Sequence, residues 1–145
     1  MELVSRRARR FAADRSHVWN ALARTDEYTR WWPWLREFGG GSLVAGDVWR
    51  CAVRPPAGYV VRFDILLDEV EPPRRISATI RGDIAGEATV TLDATEDGCD
   101  LALDSRLLAA RSGLRVLSRL APVVARRGHE WVLDNGLRQF AEGAL

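Results

Sequence analysis

Lysine is missing altogether: each of the 21 basic residues is an arginine. Arginine-favouring codon usage is enough to account for the bias, but its chemical consequence is definite. No side-chain amine is available for Schiff-base or amine-nucleophile chemistry. Cysteine is nearly as scarce. Cys51 and Cys99 are the only two, and they form no C-x-x-C pair, which excludes a disulfide scaffold and a cysteine-based zinc site. Both are read as small buried residues of a cytoplasmic protein. There are two histidines, His17 and His129, and no H-E-x-x-H. A metal centre would need carboxylates gathered from separate strands, and nothing in the spacing suggests that. G-x-S-x-G and Walker sequences are absent, and Gly39-Gly40-Gly41 lacks the third glycine of G-x-G-x-x-G. No metal and no cofactor are therefore expected. Net charge is +1, so composition makes no case for nucleic acid or an anionic membrane as partner. No apolar run reaches the length of a membrane span. The first residues, MELVSRRARRF, lack the apolar segment of a secretory signal, and none is expected there.

What the chain does contain is pattern. At 145 residues it is long enough for a core, and a single domain over 1–145 is expected. The longest stretch without a strong turn signal runs from about Ser112 to Gly143 and is predicted as helix. At 100° per residue, Pro122, Ala125, His129, Leu133, Gly136, Leu137 and Phe140 share one side, with Trp131 and Asn135 opposite. Burying Leu133, Leu137 and Phe140 contributes roughly 1.5–3 kcal/mol each, so this stripe needs a surface to lie on. A second apolar side, formed by Leu117, Leu120, Ala121, Val124 and Trp131, is rotated well away. Pro122 resolves the conflict by kinking the helix or starting a new segment. Leu114 to Ala121 is then either a lid across a cavity or a contact surface in a homodimer.

Strands supply the surface. Glu2 to Ala12 is read as a first strand whose parity is ambiguous, because Arg6, Arg7, Arg9 and Arg10 occupy both faces. If Phe11 points inward, Arg7 and Arg9 share its face, where an arginine would suit an acidic ligand group; otherwise they are solvated at a sheet edge. Asp14 is an N-cap for a short helix carrying Val18, Trp19 and Leu22. Thr25 or Asp26 caps a second, with Tyr28, Trp31 and Trp32, and Pro33 ends it. Of Trp31, Trp32 and Trp34, one or two are expected beneath these helices and the remaining one at a cavity. Asp47 to Arg54 is the next strand. Tyr59 to Glu71 alternates most clearly, with Tyr59, Val61, Phe63, Ile65 and Leu67 on one face. Arg75 to Arg81 and Gly86 to Thr95 follow. Asp97-Gly98 marks a hairpin, and the last strand carries Leu101, Leu103, Ser105 and Leu107 on its apolar face. Hairpin-length connections make neighbours antiparallel. The fold class is therefore α+β: a curved antiparallel sheet of six to seven strands wrapped around a long C-terminal helix, with two short helices after the first strand.

Several stretches add a resemblance. Asp14-Arg15-Ser16-His17-Val18-Trp19 with Leu22, the aromatic run from Tyr28 to Trp32, Glu71-Pro72-Pro73-Arg74-Arg75-Ile76, Gly82-Asp83-Ile84-Ala85-Gly86, and His129 with Gly136-Leu137 occur in the order seen in the START-like superfamily. Its helix-grip members include polyketide cyclase/dehydrase-like and lipid-transport-like proteins. The resemblance spans nearly the whole chain and implies a ligand cavity. It implies no reaction, because the superfamily has no shared catalytic set.

The inward-facing set predicts the cavity wall: Trp49, Tyr59, Val61, Phe63, Ile80, Ala88, Val90, Leu103 and Ser105 from the sheet side, His129 and Leu133 from the helix. The same side chains would serve equally to fill a core, although Ala78, Gly86 and Ala88 leave room. His129 is the one candidate general acid or base, since an imidazole titrates near neutrality. Its alternatives are a histidine bonded to a backbone carbonyl and a ligand contact. Ser105 or Tyr59 is its expected orienting partner, and Glu130 points about 100° away. Three functions stay open. The first is binding of a small hydrophobic or aromatic, lipid-like or polyketide-like, ligand. The second is a cyclase/dehydratase-type enzyme using His129, and the third is a protein-interaction module whose cavity has closed.

Overall fold

A computed structural model describes residues 2–145. The strands are β1 (Glu2–Phe11), β2 (Leu35–Gly39), β3 (Val48–Val53), β4 (Val61–Glu71), β5 (Arg75–Gly82), β6 (Ile84–Ala94) and β7 (Cys99–Ala109). They form one seven-stranded sheet in the order β1-β7-β6-β5-β4-β3-β2, and every neighbouring pair is antiparallel. The helices are α1 (Arg15–Leu22), α2 (Tyr28–Trp31), α3 (Ser112–Leu120) and α4 (Pro122–Ala144). This is the helix-grip arrangement, with α4 against the concave face of the curved sheet.

Local chemistry sets most boundaries. Asp14 caps α1 by accepting from the His17 backbone N–H at 2.9 Å. Thr25 does not cap the second helix. A 3₁₀ turn, Thr25–Glu27, runs directly into α2, and the Thr25 hydroxyl instead donates to the Gly41 carbonyl at 3.0 Å, tying that turn to the glycine loop. The predicted helix from 112 to 143 is two helices that break at Ala121, with Pro122 at the first position of α4. Proline fits there because the missing N–H would have had no helical partner. Strand β2 is the element that sequence reading leaves unassigned. Five residues with an arginine and a glutamate carry little alternation, and β2 is held at the edge by β3. β4 starts at Val61 rather than Tyr59, and β6 starts at Ile84 rather than Gly86.

The parity of β1 is settled by Phe11, which is buried. Leu3, Ser5, Arg7 and Arg9 share its face. Arg7 does not reach for a ligand, because its Nε bonds Asp134 of α4 at 2.7 Å; Arg9 is exposed. The arginines of the other face, Arg6 and Arg10, pair with Asp104 and Asp100 across the β1–β7 edge.

The core spreads across the sheet and α1, and one aromatic part of it lies where the C-terminal half of α4 meets β1 and α2. Phe140 is 1% exposed. Its ring meets Phe11 edge-on at 5.8 Å and Trp31 at 5.6 Å. Towards the other end of α4 the packing opens, because the helix crosses the sheet over small side chains. Ala78, Ala88 and Ser105 stand opposite one another on adjacent strands.

Candidate functional site

Above those small residues the sheet and α4 enclose a cavity of about 350 Å³. All the sequence-predicted residues border it: Trp49 from β3, Tyr59 from the loop before β4, Val61 and Phe63 from β4, Ile80 from β5, Ala88 and Val90 from β6, Leu103 and Ser105 from β7, and His129 and Leu133 from α4. The volume sits at the lower end of pockets that hold small molecules.

The aromatic wall is larger than predicted. Trp31 belongs to the core, while Trp32 and Trp34 both line the cavity, stacked with centroids 5.7 Å apart. Their indole N–H groups anchor them to α4: Trp32 donates to the Gly136 carbonyl at 2.9 Å, and Trp34 to Gln139 Oε1 at 2.8 Å. Trp49 donates to the Ser42 carbonyl at 3.1 Å, and Tyr28 to the Leu22 carbonyl. These rings present apolar faces inward and have their polar edges satisfied elsewhere. α3 covers one side through Leu114 and Ser118. None of its residues is buried, and Val116 and Leu120 on its outer side are 53% and 81% exposed.

His129 hydrogen-bonds to neither Ser105 nor Tyr59. Its Nε2 lies 3.0 Å from Ser5 Oγ on β1, so its partner is a side-chain hydroxyl, not a backbone carbonyl. Ser5 was legible only through the parity that Phe11 fixes, which the run of arginines hides. Burial lowers the His129 pKa from its ordinary value, the nearby Arg7 cation pushes the same way, and Glu130 opposes both. The imidazole is therefore neutral at pH 7. The Tyr59 hydroxyl packs against Gly128 of α4, where a Cβ would collide with it, and burial raises its pKa. Cys51, also on the wall, is pushed up to about 12 by burial and by the Asp64 charge. It is a protonated, unreactive thiol at neutral pH.

Among the described residues, no Arg, Asp or Glu borders this cavity. A second depression, of about 480 Å³, is of the opposite character: Arg50, Arg62, Arg81 and Arg111 surround Glu37 and Asp64. Two of its cations are already engaged, Arg62 by Glu37 and Arg111 by Asp83. Among the described residues, no three His, Cys, Asp or Glu side chains are grouped so as to hold a metal ion, and no helix is long and apolar enough to cross a membrane.

Comparison with known proteins agrees with this architecture. The Zhui aromatase/cyclase of Streptomyces sp. R1128 superposes with a TM-score of 0.75 at 19% identity, over 99% of this chain and 94% of that one. The di-domain aromatase/cyclase StfQ of the steffimycin biosynthetic pathway gives 0.72 at 15% identity, over 99% of this chain and 50% of that one. A Chromobacterium violaceum protein gives 0.70 at 19%, over 97% and 96%. At these identities the likeness is one of fold. Among curated proteins, none matches the sequence. The family model described as Activator of Hsp90 ATPase homolog 1-like protein matches residues 12–140, and the chain is a START-like, helix-grip member of that family.

Proposed function

We propose that the protein binds a small hydrophobic or aromatic ligand between the sheet and α4. The observation that carries this reading is the cavity wall: apolar and aromatic side chains, a stacked Trp32–Trp34 pair and, among the described residues, no charged one around about 350 Å³ of space. A cavity that served only as core would be expected to collapse, because each unfilled volume costs packing energy. Native mass spectrometry of the purified protein tests the reading, with a bound small organic molecule the expected result. A companion variant, Leu133→Trp, fills the space from α4. It is expected to keep the wild-type circular dichroism and to lose binding of an apolar probe such as naphthalene. Unchanged binding in that variant counts against the cavity as the site.

The enzymatic reading draws on a specific feature. A neutral imidazole on the wall, bonded to Ser5, is able to accept a proton, and two of the solved structures of similar fold are aromatase/cyclases by name. In that case His129→Ala abolishes turnover of a polyketide-like substrate while leaving its affinity close to wild type. Loss of affinity alone assigns His129 to binding. The third reading, an interaction module with a closed cavity, has the cavity of about 350 Å³ against it. Self-association through the outer side of α3 remains its testable form, read by concentration-dependent sedimentation.

A further inference from the structure

One polar group of the cavity wall stands apart from the others. Ser105 is 8% exposed, and its hydroxyl has no hydrogen-bond partner. Thr95, which shares that condition, is not on the wall. Ser105 stands directly opposite Ser5 in the β1–β7 register, which puts their Cβ atoms about 4.5–5.5 Å apart. Ser5 in turn is bonded to His129 Nε2. Two serines and an imidazole thus gather at one end of a lane of small side chains that continues through Ala88 and Ala78 until Leu67 closes it. The indole groups of Trp32, Trp34 and Trp49 and the Tyr28 phenol are already bonded to backbone or to Gln139, and the Tyr59 hydroxyl packs against Gly128.

We propose, resting on the reading of the cavity as a ligand site, that Ser105 with the Ser5–His129 pair receives one neutral oxygen of the ligand, a hydroxyl or a carbonyl, while its apolar body lies along the Ala88–Ala78 lane. A serine hydroxyl both donates and accepts, so it serves either oxygen. Charge is excluded on physical grounds. Among the described residues no ionised side chain borders the cavity to offset a carboxylate or an ammonium, and Arg7, the cation beside His129, is held by Asp134. A buried hydroxyl without a partner loses its hydrogen bond to water and gains nothing in return. A ligand oxygen restores the bond, and the site thereby discriminates against the same skeleton without the oxygen.

Calorimetric titration with three probes tests this: naphthalene, 2-naphthol and 2-naphthoate. Wild type is expected to bind 2-naphthol about tenfold more tightly than naphthalene, the value of one buried hydrogen bond, and 2-naphthoate more weakly than 2-naphthol. Ser105→Ala is expected to bind naphthalene as wild type does and to lose the preference for naphthol. Ser105→Cys, with a weak S–H donor of similar size, is expected to retain a smaller preference, and it carries the comparison if the alanine variant does not fold. A naphthol preference that survives both substitutions, or tighter binding of the naphthoate, overturns the proposal and leaves cavity binding standing. A wild type that binds neither naphthalene nor naphthol overturns both.

Discussion

His129 and Ser105 illustrate two ways in which a single residue is set at odds with its surroundings. For His129 the conflict is ionic. Burial and Arg7 depress its folded pKa below the unfolded value of about 6.5. Of the groups facing it, only Glu130 acts in the other direction, and Ser5 is a neutral partner. Between the folded pKa and about 6.5 the unfolded chain binds more protons than the folded one. The contribution is therefore present above about 6.5 and is lost as pH falls through the folded pKa. Urea unfolding between pH 5 and 8 should show stability declining on the acid side, and His129→Gln should flatten that decline. An unchanged slope would assign it to other groups. For Ser105 the conflict is a hydroxyl without a partner. Ser105→Ala is expected to stabilise the ligand-free protein by about 1 kcal/mol, which is the direction expected where a residue serves binding at the expense of stability. A loss of that size by the same unfolding measurement would show that the hydroxyl is satisfied in solution.

At the scale of elements, α4 does two jobs along its length, and two of its glycines report on them. Gly128 lets the helix pass over Tyr59, and a Cβ there collides with the phenol oxygen. Gly136 faces Trp34, and a Cβ there meets the ring at 3.4 Å, an ordinary contact. Gly128→Ala is therefore expected to lower stability by about 1–3 kcal/mol through overpacking. Gly136→Ala should be neutral or raise it by up to about 1 kcal/mol through helix propensity. Thermal unfolding of the pair separates them, and equal effects would mean that helix propensity alone is being read. The helix break at Pro122 divides burial as well. α3 has no buried residue, whereas α4 buries Ala125, Gly128, Phe140 and Ala144. Its amides are expected to exchange with deuterium well before those around Phe140, as an element covering a cavity needs to. Equal protection would make α3 a fixed wall.

For the whole molecule, the decisive contact is the grip of α4 on the far end of the sheet. Phe140 brings Phe11 of β1 and Trp31 of α2 into one aromatic cluster, and so ties together the N-terminal strand, the short helices and the last helix. Phe140→Ala is expected to cost about 3–5 kcal/mol in denaturant unfolding. The opposite end of the same helix lies over the cavity. One element therefore anchors the fold at its C-terminal end and bounds the candidate site nearer its start, and damage to the anchor is expected to reach the site.

Much of this was legible in the chain. Alternation in 61–71 and 75–81, the Asp14 cap, the Asp97-Gly98 turn and the apolar stripe of α4 all express local rules, period 2 or period 3.6, that a sequence displays directly. With hairpin connections they are enough to specify an antiparallel sheet facing one helix, and therefore which side chains point inward. Four matters were decided only in three dimensions. Whether inward meant core or cavity depended on how closely α4 lies on the sheet, a distance set at Gly128 and Phe140 and invisible to any period. The partner of His129 depended on β1 pairing with β7, Ser5 with Ser105, which brings Ser5 to a residue 124 positions away. Strand β2 owes its state to β3, since its own five residues carry too weak a pattern. The tryptophans divided by what each ring could reach. Trp31 meets Phe140 in the core, while Trp32 and Trp34 find acceptors on α4 and turn their faces to the cavity. Except for β2, whose partner β3 is the next strand along the chain, the deciding interaction joins residues far apart in sequence, and local pattern carries no record of such a pairing.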